Sequence, residues 1–262
     1  MCSTSSSTDG IFHGEIRVLQ HRSGYRFTED AVLLAAFSAS GPTADLAVDL
    51  GAGCGVVGLI LAHRGIARRV VAVEIQLPLA RLADQNAREN GLARRIWAVC
   101  GDLRRMPLAP GSVDLVCSNP PYQPLGRGGL PPDPERALAR HEVSCDPDSL
   151  CIEAVRCLTR GGRLVLVYPV RRLDDVRTAI ARSGLSLSRT RLVVPGPGRA
   201  PVLCLLEAVS STGDAALIEE QPLCTRDDKG ALTDEMADIL AGRFEACGEF
   251  RSRSAGGSGA RD

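Results

Sequence analysis

Short apolar runs that alternate with helical patterns are the feature that most restricts how this chain can fold. Each run is about five residues long, and together they cover residues 46–50, 69–74, 96–100, 113–118 and 163–168. Short apolar strands separated by amphipathic helices are typical of a parallel sheet that is covered by helices on both faces. The sequence therefore predicts a doubly wound α/β fold.

Two more β-rich runs, residues 187–194 and 201–209, follow a helical pattern at residues 171–183. The link between these runs reads Pro-Gly-Pro-Gly at residues 195–198 and is too short to hold a crossover helix. The two strands should therefore pair antiparallel. We expect a seven-stranded, mostly parallel sheet with one antiparallel strand and helices on both faces.

The length of 262 residues is natural for one large domain with small additions. We expect an N-terminal segment at residues 1–40 whose helix gates the substrate and the cofactor, and a catalytic core at residues 41–210. Residues 211–247 are acidic and should form an extension with one short helix. The Gly/Ser/Arg-rich residues 248–262 have nothing to bury and are predicted to be disordered.

A glycine-rich loop joins the first strand of the core to the helix that follows it. Residues 48–58 read Val-Asp-Leu-Gly-Ala-Gly-Cys-Gly-Val-Val-Gly, and glycines let a backbone turn sharply and approach a ligand closely. From Gly53 onward the loop fits GxGxxG, and Glu74 ends the next strand about twenty residues later, as in an NAD(P)-dependent oxidoreductase. Asp49 favours another interpretation, because a dinucleotide-binding strand normally stays apolar up to its first glycine. In a third interpretation the glycines serve only the turn of a cofactor-free α/β fold.

From Asp49 onward the same loop fits DxGxGxG and resembles the cofactor loop of class I S-adenosylmethionine-dependent methyltransferases. The resemblance implies S-adenosylmethionine as the cofactor. It implies that Asp49 engages the methionine end, that the glycines leave space, that Glu74 binds the ribose hydroxyls, and that the residues after the third strand bind the adenine. The cofactor-binding residues implied in this way are Asp49, Gly51, Gly53, Gly55, Glu74, Asp102 and Leu103.

The fourth strand runs into the tetrad Asn119-Pro120-Pro121-Tyr122. Ligands of open α/β sheets bind outside the carboxyl ends of the strands, so the tetrad should face the same crevice as the glycine loop. The Asn119 side-chain oxygen and the Pro120 carbonyl can each accept one hydrogen bond from a planar NH2 group, and Tyr122 can stack on a base. We expect all four residues to be catalytic, and Asn119 also to contact the cofactor. A tight proline turn would explain the prolines but not the asparagine and the tyrosine.

The tetrad resembles that of amino-methyltransferases that act on adenine N6, cytosine N4 or glutamine N5. Residues 20–34 resemble the N-terminal segment of bacterial tRNA (adenine-N6)-methyltransferases that modify an anticodon-loop adenine of a valine tRNA. In that family a Thr-Asp pair lies near the cofactor. Here Asp30 keeps the aspartate, Glu29 stands at the threonine position, and Thr28 lies one residue earlier. The resemblance implies a cofactor role for Asp30, although a first-turn acid would also complement the helix dipole.

The resemblance covers residues 16–240 and implies RNA, specifically tRNA, as the partner. Protein-glutamine N5-methyltransferases share the tetrad but carry a separate helical N-terminal domain, for which about forty residues before the first strand leave little room. Four alternatives remain: methylation of a protein glutamine, methylation of an rRNA amino group, an NAD(P)-dependent oxidoreductase reaction, and a non-catalytic RNA-binding role.

The Gly/Pro-rich loop at residues 123–143 has the length of a substrate lid. In addition to Tyr122, we expect Arg136, Arg140 and His141 to bind the substrate, unless they are ordinary solvated surface residues. Residues 1–210 carry 25 basic and 20 acidic side chains, a balance of +5, and residues 211–262 carry 6 and 11, a balance of −5. Ten arginines lie at residues 146–210, where we expect RNA to bind.

Several other classes of protein conflict with the sequence. No apolar run approaches the roughly 20 residues of a membrane span, and residues 1–10 lack the pattern of a secretory signal, so we expect a cytoplasmic protein. The ten cysteines form no CxxC pair, so we expect small buried hydrophobic side chains and no metal site. The expected assembly is a monomer or a weak homodimer.

Overall fold

A computed structural model describes residues 6–22, 26–120, 146–210 and 216–244, in which the predicted apolar runs are strands. The strands are β1 (Ser6–Ile11), β2 (Ile16–His21), β3 (Ala44–Leu50), β4 (Ala67–Glu74), β5 (Ile96–Cys100), β6 (Val113–Ser118), β7 (Leu158–Pro169), β8 (Ser186–Val194), β9 (Leu203–Val209), β10 (Ile218–Glu219) and β11 (Leu223–Cys224). The α-helices are α1 (Glu29–Ser38), α2 (Val56–His63), α3 (Leu77–Glu89), α4 (Pro147–Cys157), α5 (Leu173–Ser183) and α6 (Asp234–Leu240).

The central sheet has the strand order β5-β4-β3-β6-β7-β9-β8. Its strands are parallel except for β9, which runs antiparallel to both β7 and β8. The predicted doubly wound fold with one antiparallel strand is therefore confirmed. Within the described residues the sheet nevertheless has nine strands and not seven, because β10 and β11 pair in parallel with the outer edge of β8. Each spans only two residues, too few to produce a periodic signal in the sequence.

Both faces of the sheet are buried, as the continuous apolar runs predict. Alternate residues of β3 and β6 belong to two separate hydrophobic clusters: Ala47 and Cys117 to one, Val48 and Val116 to the other. The first cluster includes residues of α1, α2 and α3, and the second includes residues of α4 and α5. Five of the seven described cysteines are buried, which agrees with their predicted role as small hydrophobic side chains.

An N-terminal hairpin formed by β1 and β2 is a feature that the sequence patterns do not predict. Its turn includes Phe12 and His13 at φ of +54° and +57°, and the Phe12 side chain is buried. An isolated two-stranded hairpin is marginally stable, so this one depends on packing against the core. The polar sequence of β1 gives no apolar alternation from which the hairpin could be predicted.

The helix ends follow the sequence signals. Helix α3 has Pro78 in its first turn and is followed by Gly91 at φ of +70°. Helix α6 begins after Thr233, whose hydroxyl accepts a hydrogen bond from the Met236 N–H at 3.3 Å, as predicted for a cap. The described residues include no helix that is long and apolar enough to cross a membrane. The tail predicted at residues 248–262 lies outside the described residues, and the segment boundaries stay predictions.

Candidate active site

The register of the parallel strands brings the predicted site residues to one edge of the sheet. Leu50, the last residue of β3, pairs with Val73 of β4 and with Ser118, the last residue of β6. Glu74, the last residue of β4, pairs with Cys100 of β5. The glycine loop, Glu74, the segment after β5 and Asn119 therefore follow neighbouring strand ends. This is the edge where open α/β sheets bind their ligands.

Asp49 is buried beside the glycine loop, with 1% of its surface exposed. One carboxylate oxygen accepts a hydrogen bond from the backbone N–H of Gly58 at 3.0 Å. Burial, together with the nearby charge of Glu74, raises the pKa of Asp49 to about 7, although the hydrogen bond from Gly58 lowers it. A cationic group that binds next to Asp49 would stabilise its ionised carboxylate.

Glu74 holds the glycine loop from the neighbouring strand and is 6% exposed. Its Oε2 accepts a hydrogen bond from the Gly53 N–H at 2.9 Å, and its Oε1 accepts one from the Gln76 N–H at 2.9 Å. Burial raises the pKa of this carboxyl as well. Glu74 thus fixes the loop while its remaining lone pairs can accept further hydrogen bonds.

The loop glycines at positions 51, 53 and 55 have φ values of +69°, +56° and +84°, which disfavour other residues. A Cβ atom on Gly51 would meet no heavy atom within 4 Å, so this glycine borders open space. A Cβ atom on Gly55 would lie 3.0 Å from the Cβ of Ala83 on α3. Gly51 therefore leaves room for a ligand, whereas Gly55 serves the turn and the packing of α3.

These residues fit S-adenosylmethionine, a cation with ribose hydroxyl groups. In the described part of the chain, neither Asp49 nor Glu74 forms an ion pair with a basic side chain, so both carboxylates can face a cationic ligand. Open space at Gly51 gives the ligand access. No group of three or more His, Cys, Asp or Glu side chains suited to a metal ion occurs among the described residues.

Asp102 and Leu103 follow β5, where the adenine-binding residues were predicted. The Asp102 carboxylate accepts a hydrogen bond from the Arg104 N–H at 2.9 Å and forms an ion pair with the Arg104 guanidinium at 2.6 Å. The hydrogen bond from Arg104 lowers the pKa of Asp102 and keeps it charged. Leu103 is 7% exposed and packs in the hydrophobic cluster of α4 and α5. The amine of the cofactor adenine would have to share the Asp102 carboxylate with Arg104. The adenine-binding role of Asp102 and Leu103 stays a prediction.

Thr28 and Asp30 lie at the start of α1. Burial raises the pKa of the half-buried Asp30 carboxyl, and the neighbouring Thr28 side chain lowers it. Thr28 occupies the N-cap position but makes no side-chain capping bond. Thr28 and Asp30 therefore lie together at the start of α1, and the cofactor role of Asp30 stays a prediction.

The end of β6 is tied to the end of β3. The Ser118 hydroxyl donates a hydrogen bond to the Leu50 carbonyl at 2.8 Å, which fixes the strand end that carries Asn119. Asn119 is half-buried and Pro120 is buried. The other predicted catalytic and substrate-binding residues, Pro121, Tyr122, Arg136, Arg140 and His141, lie outside the described residues, and their roles stay predictions. Sequence analysis did not single out Ser118, because an ordinary strand serine carries no motif.

The arginines at residues 146–210 are mostly engaged in ion pairs. Seven of the ten pair with acids: Arg156, Arg163, Arg172, Arg177, Arg182, Arg189 and Arg191. Arg163 and Arg189 are buried against Glu207 of β9, and Arg189 and Arg191 reach Glu220 and Glu235 of the acidic extension. Much of the positive charge of this portion is therefore paired with acids, and its role as an RNA surface stays a prediction.

Comparisons with known proteins identify the family of the chain. Residues 47–129 match a family described as a methyltransferase domain. A tRNA1(Val) (adenine(37)-N6)-methyltransferase of Tolumonas auensis is 33% identical over 198 residues, which cover 75% of this chain and 80% of the relative.

Solved structures match the fold. A predicted O-methyltransferase from Agrobacterium tumefaciens is 23% identical with a TM-score of 0.66, over 82% of this chain and 97% of that one. Geranyl diphosphate C-methyltransferase from Streptomyces coelicolor, in complex with S-adenosyl-L-homocysteine, is 16% identical with a TM-score of 0.51, over 69% and 74% of the two chains.

The matches decide between the two ligands that the glycine loop allowed. They favour S-adenosylmethionine over a dinucleotide, in agreement with the buried acid at Asp49. The chain belongs to the family of tRNA1(Val) (adenine(37)-N6)-methyltransferases and is an S-adenosylmethionine-dependent N-methyltransferase.

Proposed function

We propose that this protein methylates N6 of an adenine in tRNA, at the anticodon-loop position 37 that is named for its relatives. The observation that carries the proposal is the juxtaposition of Asn119 with the glycine loop at adjacent strand ends. This arrangement supports transfer to an amine without a strong base. The match to 80% of a relative's length supports the choice of tRNA.

The chain's own residues would prepare the amine for transfer. When bound, S-adenosylmethionine supplies a methyl group on a positively charged sulfur. The Asn119 side-chain oxygen and the Pro120 carbonyl would each accept a hydrogen bond from one N–H group of the adenine amine, which directs the nitrogen lone pair toward the cofactor. Asp49, Glu74 and the glycine loop would hold the cofactor at the next strand end.

Two exposed arginines support a path for RNA along the same edge. Arg171 follows the end of β7, and Arg199 lies in the turn between β8 and β9. A hydrogen bond of 3.0 Å from the Val170 N–H to the Val202 carbonyl joins these two segments. Neither arginine forms an ion pair within the described residues, so both are available to phosphates. A tRNA substrate also supports a cytoplasmic protein, and the monomer or weak homodimer stays a prediction.

The proposal is tested by incubating the protein and S-adenosylmethionine with an unmodified valine tRNA transcript, followed by nucleoside mass spectrometry. We expect N6-methyladenosine in this transcript and none in a matched transcript with guanine at the target position. Methylation of rRNA or of a release-factor glutamine, with no product in tRNA, would contradict the proposal.

Replacing Asn119 tests the mechanism. We expect Asn119→Ala to raise the barrier of methyl transfer by about 3 kcal/mol, which is a loss of turnover of roughly 10²-fold, because one preorganised acceptor is lost. Single-turnover kinetics measure this step. Affinities for S-adenosylhomocysteine and for tRNA should stay within about threefold of the wild type. Unchanged turnover would refute the role of Asn119.

A further inference from the structure

Two asparagines of α3 hold the N-terminal hairpin through their side-chain amides. Asn86 accepts a hydrogen bond from the Leu19 N–H at 2.8 Å and donates one to the Leu19 carbonyl at 2.9 Å. Asn90 accepts one from the Arg17 N–H at 2.8 Å and donates one to the Arg17 carbonyl at 2.7 Å. Each amide therefore pairs with β2 as a peptide group of a neighbouring strand would.

The spacing of the two asparagines matches the spacing of the strand. Four residues of an α-helix rise about 6 Å, and two residues of a strand rise about 6.6 Å. Asn86 and Asn90 can thus face Leu19 and Arg17 at the same time. Because β1 pairs with the other edge of β2, the asparagines satisfy the edge that would otherwise be open.

Asn86 makes one contact that Asn90 does not. Its amide nitrogen also donates a hydrogen bond to the Cys54 carbonyl in the glycine loop, at 2.9 Å, and its side chain is fully buried. The second hydrogen bond donated by Asn90, at 2.8 Å, goes to the Asn86 carbonyl within the same helix. Both asparagines therefore bind the hairpin in the same way, but of the two only Asn86 also binds the glycine loop.

Cys54 lies between the two glycines on which the shape of the loop depends. Glu74 binds the Gly53 N–H, and Gly55 is the N-cap residue of α2. Glycines have no side chains that could restrain this part of the backbone, so polar contacts must fix the orientation of its peptides. Without Asn86, the buried Cys54 carbonyl would lose its amide partner and the loop would gain freedom.

We propose that Asn86 is a positioning residue that fixes the Cys54 peptide of the glycine loop and couples the N-terminal hairpin to the cofactor site. The role of Asn86 rests on the proposed function only in that this edge of the sheet binds the cofactor, and it does not depend on tRNA being the substrate. A wild-type protein that binds S-adenosylhomocysteine but does not methylate tRNA would refute the proposed substrate and leave this inference open to test.

The test compares Asn86→Ala with Asn90→Ala by calorimetric titration with S-adenosylhomocysteine. Both variants lose contacts to β2, so both should melt at a lower temperature. Only Asn86→Ala should bind the ligand about tenfold more weakly, in the range expected for one buried hydrogen bond, while Asn90→Ala should stay within about twofold. Asn86→Ala should likewise raise KM for S-adenosylmethionine and leave kcat nearly unchanged.

Hydrogen exchange separates a positioning role from a structural one. Amides of the glycine loop should exchange faster in Asn86→Ala than in Asn90→Ala. If the alanine variant does not fold, Asn86→Ser keeps a small polar side chain at the site and should give the same ranking. Equal effects of the two positions on ligand affinity, or an unchanged affinity in a folded Asn86 variant, would overturn the proposal.

Discussion

Buried acids occur in two parts of the sheet, and their surroundings differ. Beside the glycine loop, Asp49 of β3 and Glu74 of β4 are close enough for their charges to oppose each other, and their hydrogen bonds come from backbone N–H groups. Across the sheet, Glu207 lies between two guanidinium groups, 2.9 Å from Arg163 and 3.0 Å from Arg189. No basic side chain among the described residues neutralises Asp49 or Glu74, whereas two arginines neutralise the charge of Glu207.

This difference indicates which buried charges serve function. A carboxylate that burial has made difficult to ionise marks a place where a ligand can supply the missing positive charge. A carboxylate that is already paired with arginines contributes to folding, and its removal leaves the arginines without a partner. Changes at the two places should therefore separate ligand affinity from stability.

The largest effect is expected from Glu207→Ala. The change leaves Arg163 and Arg189 buried without this acid, which should reduce the free energy of unfolding by about 3–5 kcal/mol in urea titrations. Asp175→Ala, which breaks the exposed pair with Arg172, should cost less than about 1 kcal/mol and is the control. Unchanged stability of Glu207→Ala, or a loss of affinity for S-adenosylhomocysteine in the folded variant, would contradict the claim that Glu207 serves stability and not ligand binding.

Asp49→Asn should have the opposite profile. We expect an affinity for S-adenosylhomocysteine that is weaker by about 2 kcal/mol, or roughly 30-fold, because the charge that faces the ligand is lost. Stability near neutral pH should be unchanged or higher, since an uncompensated buried charge has been removed. Calorimetry and urea titration measure the two quantities.

Asp114 offers a matched control for this variant. Its carboxylate also binds backbone N–H groups, those of Asp45 and Leu46 at 3.0 and 3.1 Å, but near the opposite edge of the sheet. Asp114→Asn should leave ligand affinity unchanged. A loss of affinity equal to that of Asp49→Asn would show a general effect on the fold.

The smallest effects are expected from arginines outside the ion pairs. Arg171→Gln and Arg199→Gln should each weaken tRNA binding and reduce the slope of log affinity against log salt by about one. Arg69→Gln is the control, because Arg69 is exposed near the amino end of β4, far along the strand from the site edge. If log affinity for tRNA had the same slope against log salt concentration in all three variants, Arg171 and Arg199 would not contact the RNA.

The sequence could predict the parts of the molecule that depend on local patterns. The strand ends, the loop glycines, Asp49 and Glu74 all follow from apolar runs and from residues next to them. The ion pairs of Glu207 with Arg163 and Arg189 and the contacts of Asn86 could not be predicted, because they join distant residues. Asn86 and Leu19 are 67 positions apart, and no periodicity relates them.

The same limit applies to the charge of the arginine-rich portion, whose role as an RNA surface stays a prediction. A count of charges along the chain adds arginines regardless of where their partners lie. In the structure, acids from β9 and from the acidic extension neutralise Arg189 and Arg191. The net charge of a segment is thus a poor guide to its surface when another segment folds against it.

The role of Asp49 can be tested most directly by the pH dependence of S-adenosylhomocysteine binding. Because burial raises the pKa of folded Asp49 from 3.8 to about 7, the folded protein takes up a proton that the unfolded chain does not, and this group makes the free energy of unfolding fall as pH rises across that window. The ammonium group of S-adenosylhomocysteine prefers the ionised carboxylate, so the affinity of this ligand should rise across the same window.

Calorimetric titration from about pH 6 to about pH 8 should show wild-type affinity that increases up to tenfold per unit below about pH 7 and then levels off. Asp49→Asn should bind weakly and independently of pH. A wild-type affinity that does not change with pH, or a variant that keeps the wild-type profile, would contradict the assignment of this acid to the cofactor.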